Sequence, residues 1–154
     1  MRKLLLGLVL LFSILGFSQK KEPSIYKKYS VFDKETSYSG TAGSLSIYAI
    51  RKDGDSICSY KALYVRVYDS YLTYAKDLTL LFSDGTTLEL STDEELGEYN
   101  TKYKLYEYYT PSYPSEEEWD LINSKKIVGI KFHIFERKYA QYDTLKKLIN
   151  KIPL

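Results

Sequence analysis

The sequence predicts an α+β domain, a mostly antiparallel sheet with two short helices packed on one face. Three observations carry this expectation. An Asp84-Gly85 pair sits between two apolar runs, the strongest short-range hairpin signal. β-Rich runs punctuated by turn residues dominate the first two-thirds of the chain, and hairpins give antiparallel neighbours. The helical patterns longer than a single turn lie in the last third, at Ser115 and around Asp143, and strands followed by helices mark an α+β arrangement. A β-sandwich with peripheral helices is the alternative, because the N-terminal strands could form a second sheet.

In chain order, Met1-Arg2-Lys3 is a basic start and residues 4–17 are a short apolar run. Gly16 and Ser18 are small residues at the −3 and −1 positions of a cut before Gln19, so residues 1–18 read as a secretory signal peptide. The apolar run is shorter than the roughly 20 residues that a membrane span needs. No Cys follows it, which removes lipid attachment at that site. The Gly-Phe-Ser-Gln ending resembles signal peptides of Bacteroidetes-type bacteria. The expected product is a single domain over residues 19–154, exported to the periplasm or the cell exterior.

After a polar leader, residues 26–38 mix Tyr, Val and Phe with charged residues and predict one strand, and 39–43 read as turn chemistry. Runs 44–51 and 57–68 flank Lys52-Asp53-Gly54-Asp55 and predict a hairpin. In the second run Leu63, Val65 and Val67 alternate with Tyr64, Arg66 and Tyr68, giving an aliphatic face and an aromatic-polar face. In the Asp84-Gly85 hairpin a three-residue loop, Ser83-Asp84-Gly85, pairs Phe82 with Thr86, Leu80 with Leu88 and Leu78 with Leu90. That register gathers five large apolar side chains on one face, whereas a two-residue loop splits them. It also puts Gly85 at the left-handed position.

Thr92-Asp93-Glu94-Glu95 fits a capping box for about one helical turn before Gly97. Residues 103–110 predict a strand ended by Pro111 and Pro114. Ser115-Glu116-Glu117-Glu118 is a second capping box, with three carboxylates at the positive end of the helix dipole. Trp119 and Ile122 fall on one face of that helix and should dock on the sheet. Residues 127–136 alternate, with Val128, Ile130, Phe132 and Ile134 on one face and Lys131 and His133 on the other. Asp143 or Thr144 then caps a last helix carrying Leu145, Leu148, Ile149 and Ile152 at helical spacing.

The chain has 154 residues, of which 44% are hydrophobic and 16% aromatic, enough for one domain with a core. Of its 22 basic residues, Arg2 and Lys3 lie in the leader, leaving 20 against 20 acidic ones. That balance argues against a nucleic-acid partner, which needs a concentrated basic face. One His and one Cys cannot assemble a zinc cluster, and no phosphate loop or His-Glu-x-x-His is present, so no metal or cofactor is expected. His133 as a lone base lacks an evident nucleophile, and Cys58 reads as a small buried apolar side chain rather than a reactive thiol. Asp53-Gly54-Asp55-Ser56 reads as a turn, since a calcium loop needs further spaced ligands.

The compositional oddity is 17 Tyr, concentrated in residues 60–74 and 99–113. Tyr rings suit strands without any ligand, but they also furnish contact faces of low conformational entropy. Tyr106, Tyr108, Tyr109 and Tyr113 are the candidate binding residues. With Leu105 expected toward the core, Tyr106 and Tyr108 should form an exposed pair. The expected function is non-catalytic binding of a protein or an envelope glycan through a Tyr-rich sheet face. The alternative is a small hydrolase using dispersed carboxylates, such as a glycosidase.

Overall fold

A computed structural model describes residues 23–153, so the signal-peptide expectation lies outside the described residues. In chain order the strands are β1 (Tyr26–Ser30), β2 (Glu35–Ala42), β3 (Leu45–Lys52), β4 (Tyr60–Asp69), β5 (Tyr74–Ala75), β6 (Leu78–Phe82) and β7 (Thr87–Leu90). There follow β8 (Glu95–Leu96), β9 (Glu98–Asn100), β10 (Leu105–Ser112), helix α1 (Glu116–Ser124), β11 (Ile127–Phe132), β12 (Phe135–Lys138) and helix α2 (Tyr142–Lys151). Every pairing is antiparallel. Six strands form one sheet in the order β1-β2-β3-β4-β10-β9, four form a second in the order β12-β11-β6-β7, and β5 and β8 make a two-stranded ribbon. The described residues are sheet-dominated and antiparallel, with two helices among them. No helix among the described residues is long and apolar enough to cross a membrane.

The β6–β7 hairpin adopts the predicted register. Leu78 opposes Leu90, Leu80 opposes Leu88, and the Phe82 amide donates to the Thr86 carbonyl at 2.9 Å. Gly85 has φ +84°, where a missing Cβ removes the steric cost. Leu78, Leu80, Phe82 and Leu90 are buried, each stabilising the fold by about 1.5–3 kcal/mol relative to exposure. Asp84 ties the loop to the end of α1. Its carboxylate accepts from Lys125 Nζ at 2.8 Å and from the Thr86 amide at 3.0 Å, and these donors hold the carboxyl well below the usual carboxylate range.

The inner face of the six-stranded sheet carries Tyr38, Leu45, Ile47, Leu63, Val65, Val67 and Tyr108. Helix α2 lies against β2 and β3, and the second sheet contributes Leu78, Leu80, Ile130 and Phe132 to the same core. Gly40 permits the helix contact, since a Cβ there would come within 2.6 Å of Leu148 Cδ2. Trp119 and Ile122 of α1 are buried as expected, behind the predicted cap. The Glu118 amide donates to Ser115 Oγ at 3.3 Å, and the Ser115 amide donates to Glu118 Oε2 at 2.7 Å.

Several expectations are corrected. Residues 26–38 form two strands rather than one, turning through a tip at 31–34, and β2 continues to Ala42 through the stretch read as a loop. No helix forms at Thr92. Its hydroxyl accepts from the Asp77 amide at 3.0 Å, and Glu95–Leu96 pairs with Tyr74–Ala75, so a bond across the chain displaces the local cap. Pro111 lies inside β10, past the reach of β9, so the strand runs beyond the stop expected at this proline.

Residues 127–136 are a tight hairpin rather than one strand. His133 has φ +54° in the turn, Phe132 pairs with Phe135, and Ile134 is exposed. A register shift between Ile127 and Gly129 turns Ile127, Ile130 and Phe132 inward and leaves Val128 half-buried. Helix α2 begins at Tyr142 behind Gln141, without the side-chain cap expected from Asp143 or Thr144.

Candidate binding face

Strand alternation sorts β3, β4 and β10 into two chemistries. The outer face of the six-stranded sheet carries Tyr48 from β3, Tyr60, Tyr64, Arg66 and Tyr68 from β4, and Tyr109 from β10, with Tyr113 just beyond it. Five of these rings form one connected layer. Tyr48 meets Tyr60 and Tyr64 edge-on at 6.0 and 6.5 Å, and Tyr60 meets Tyr113 at 5.8 Å. Tyr64 stacks on Tyr109 at 4.9 Å with ring planes 20° apart. Ala62, opposite Tyr48 and between Tyr60 and Tyr64 along the strand, is buried on this outer side without joining the core. A small residue there leaves room for the rings around it.

Arg66 and Glu107 form an ion pair on this face. Arg66 lies over the Tyr109 ring at 4.4 Å, and its Nε is 3.1 Å from Glu107. Glu107 also accepts from the Tyr68 hydroxyl at 3.2 Å and from Asn100 Nδ2 at 2.7 Å. Asn100 in turn accepts from the amides of Lys102 and Tyr103, which places the Tyr103 ring 5.1 Å from Tyr68. Burial, and then the Tyr113 hydroxyl, push the Tyr60 phenol up. Burial and then Glu107 do the same for Tyr68, and burial raises Tyr109 against the opposing pull of Arg66. These hydroxyls therefore stay protonated across the physiological range and serve as donors as well as acceptors.

The four candidate tyrosines divide between the two faces. Tyr109 (39% exposed) and Tyr113 (56%) belong to the outer layer. Tyr106 and Tyr108 do not form an exposed pair. Tyr108 is 0% exposed, and Tyr106 packs partly buried against the core with its ring 5.5 Å from Tyr99. The register is the reason: Tyr108 opposes Val67 and Thr110 opposes Val65, so these side chains share the aliphatic face of β4. The phenol is accommodated because Tyr108 Oη donates to the Tyr71 carbonyl and accepts from the Thr73 amide at 3.0 Å. Gly97 leaves the space, since a Cβ there would sit 2.6 Å from the ring. Tyr48 and Tyr60 were missed as members of the layer, whereas the alternation around Tyr64 and Tyr68 signalled their face.

Cys58 is buried, and burial pushes its thiol up, away from the reactive thiolate. Asp53 accepts from the Tyr29 hydroxyl at 2.8 Å beside Gly54 at φ +92°, a turn. Glu116 pairs with Lys61 at 2.7 Å. Two carboxylates, Asp77 and Glu89, line a polar recess of about 420 Å³ with Lys131 and His133, and all four side chains are exposed. A second group of exposed apolar residues, Tyr71, Leu72, Tyr74 and Leu96, lies around the β5–β8 ribbon. Comparison with protein-family models, with curated proteins and with solved structures returns no match.

Proposed function

We propose that the outer face of the six-stranded sheet binds an envelope component or a protein, and that the chain is an exported single domain acting without catalysis. The observation that carries this reading is the connected layer of Tyr48, Tyr60, Tyr64, Tyr109 and Tyr113. Its rings hold one another in place, so little conformational freedom remains to be lost on contact. The ring layer carries only the Arg66–Glu107 ion pair and no concentrated basic patch, and that favours uncharged or amphipathic ligands over nucleic acid. The single core supports one domain, and α2 closing over β2 and β3 supports the α+β class over a sandwich.

A glycosidase reading would place its acids at Asp77 and Glu89, the pair sharing a recess. Their exposure beside Lys131 provides no low-dielectric site to separate an acid from a base, and binding is the favoured reading. Tyr109→Ala with Tyr113→Ala tests it. The double variant should lose most of the parent's capture of envelope extract while costing roughly 1 kcal/mol or less of stability per site, as partly exposed side chains do. Unchanged capture, or a collapse in melting temperature, contradicts the proposal.

A further inference from the structure

Two troughs lie side by side on this outer face and share Tyr48. The smaller, about 350 Å³, is lined by Ser39, Thr41 and Ser46 from β2 and β3 and by Tyr48, Tyr64 and Tyr109. The larger, about 520 Å³, is lined by Ser37, Tyr48 and Ile50 and runs to the tip of the β1–β2 hairpin at Val31 and Phe32. Hydrogen bonds hold the tip together. Ser30 Oγ donates to Asp33 at 2.6 Å, the Asp33 amide donates back to Ser30 Oγ, and the Asp53 amide donates to the Lys34 carbonyl at 2.8 Å. Phe32 is nevertheless 99% exposed, a large apolar side chain that contributes nothing to the core.

We infer that the two troughs are one groove for an extended, neutral, β-linked polysaccharide chain, with Phe32 at one end and Tyr64 and Tyr109 at the other. The inference rests on the outer face being a binding surface. A pyranose ring presents apolar C–H faces and a rim of hydroxyls, so it needs aromatic surface and small hydroxyl partners together. The groove supplies both, a Tyr wall along β4 and β10 and a hydroxyl floor along β2 and β3. Ser39 Oγ makes no side-chain hydrogen bond among the described residues. Thr41 Oγ1 and Ser46 Oγ share one bond at 3.0 Å and keep acceptor capacity.

The smaller trough has no carboxylate, ammonium or guanidinium in its lining, and the larger has charges of both signs in Lys28, Asp33 and Glu35. A phosphorylated or uronic polymer would call for uncompensated cations. A peptide strand would call for a free sheet edge, whereas here the backbone groups of β2 and β3 are already paired. A flat floor suits the extended ribbon of a β-1,4-linked chain over a coiled α-linked one.

The test is calorimetric titration of the mature chain with β-1,4-linked hexasaccharides of glucose, xylose, mannose and N-acetylglucosamine, and with α-1,4-linked maltohexaose. At least one β-linked hexamer should bind, and maltohexaose should not. Phe32→Ala should weaken that binding roughly tenfold, the scale of one aromatic contact, with no change in melting temperature. Ser39→Ala should weaken it roughly threefold, as loss of one neutral hydrogen bond does. No binding by any β-linked hexamer, equal binding of maltohexaose, or parent affinity in both variants overturns the inference. If the hexamers fail while envelope capture still depends on Tyr109 and Tyr113, the glycan groove falls and the binding face stands, with a protein as its ligand. If both fail, both readings fall.

Discussion

Tyr108→Ala should destabilise the protein by about 3–5 kcal/mol, the range for truncating a large aromatic side chain in a packed core. The ring is fully buried and sits 4.9 Å from the Phe135 ring, so it joins the two sheets where the neighbouring Asp69–Arg137 ion pair, at 2.9 Å, also links them. Its hydroxyl fixes the segment from Tyr71 to Thr73, and Gly97 packs against it from the other side. Tyr108→Phe separates these roles. It keeps the ring but leaves the Thr73 amide without its acceptor, and should cost about 1–3 kcal/mol. Urea denaturation measures both, and a loss under about 1 kcal/mol for the alanine variant would contradict the inward placement of this ring.

Trp119→Ala should cost a similar 3–5 kcal/mol. Trp119 is the only Trp, is 5% exposed, and anchors α1 into the core together with Ile122. The helix has nine residues, too short to persist by its own propensity, so docking of this face is what stabilises it. The capping box sets where the helix starts, and the indole sets where it lies. Truncation should therefore loosen the Lys61–Glu116 pair at the helix start as well. A loss under about 1 kcal/mol, or unchanged amide-exchange protection in residues 116–124, would contradict this docking.

Features written in local chemistry were legible. The β6–β7 register followed from one glycine and the positions of five apolar residues, and the cap of α1 followed from Ser115 and Glu118 alone. Thr92 shows where that logic stops. The same local pattern is present, but its hydroxyl is taken by the Asp77 amide, a partner no window around Thr92 contains. His133 is a similar case: nothing in His133-Ile134 signals a turn, and the pairing of β12 with β11 imposes one.

The site divides along the same line. Alternation in β4 placed Tyr64 and Tyr68 on an aromatic face, because Leu63, Val65 and Val67 left no doubt about the inner one. In β10, by contrast, Leu105 was the only aliphatic guide, and it pointed the wrong way. The facing of Tyr106 and Tyr108 was decided by their register against Val67 and Asp69, a pairing between segments nearly forty residues apart. The contacts of Tyr48 around Ala62 depend on the β3–β4 register and were equally hidden.

The proposed function makes the outer tyrosine layer a contact surface. Oxidative footprinting of tyrosine side chains, with and without solubilised envelope material, tests it most directly because exposed rings elsewhere serve as internal references. The expected result is protection of Tyr109 and Tyr113 in the presence of that material, with Tyr71 and Tyr74 labelled as before. Unchanged labelling of the outer layer, or protection confined to Tyr71 and Tyr74, would contradict it.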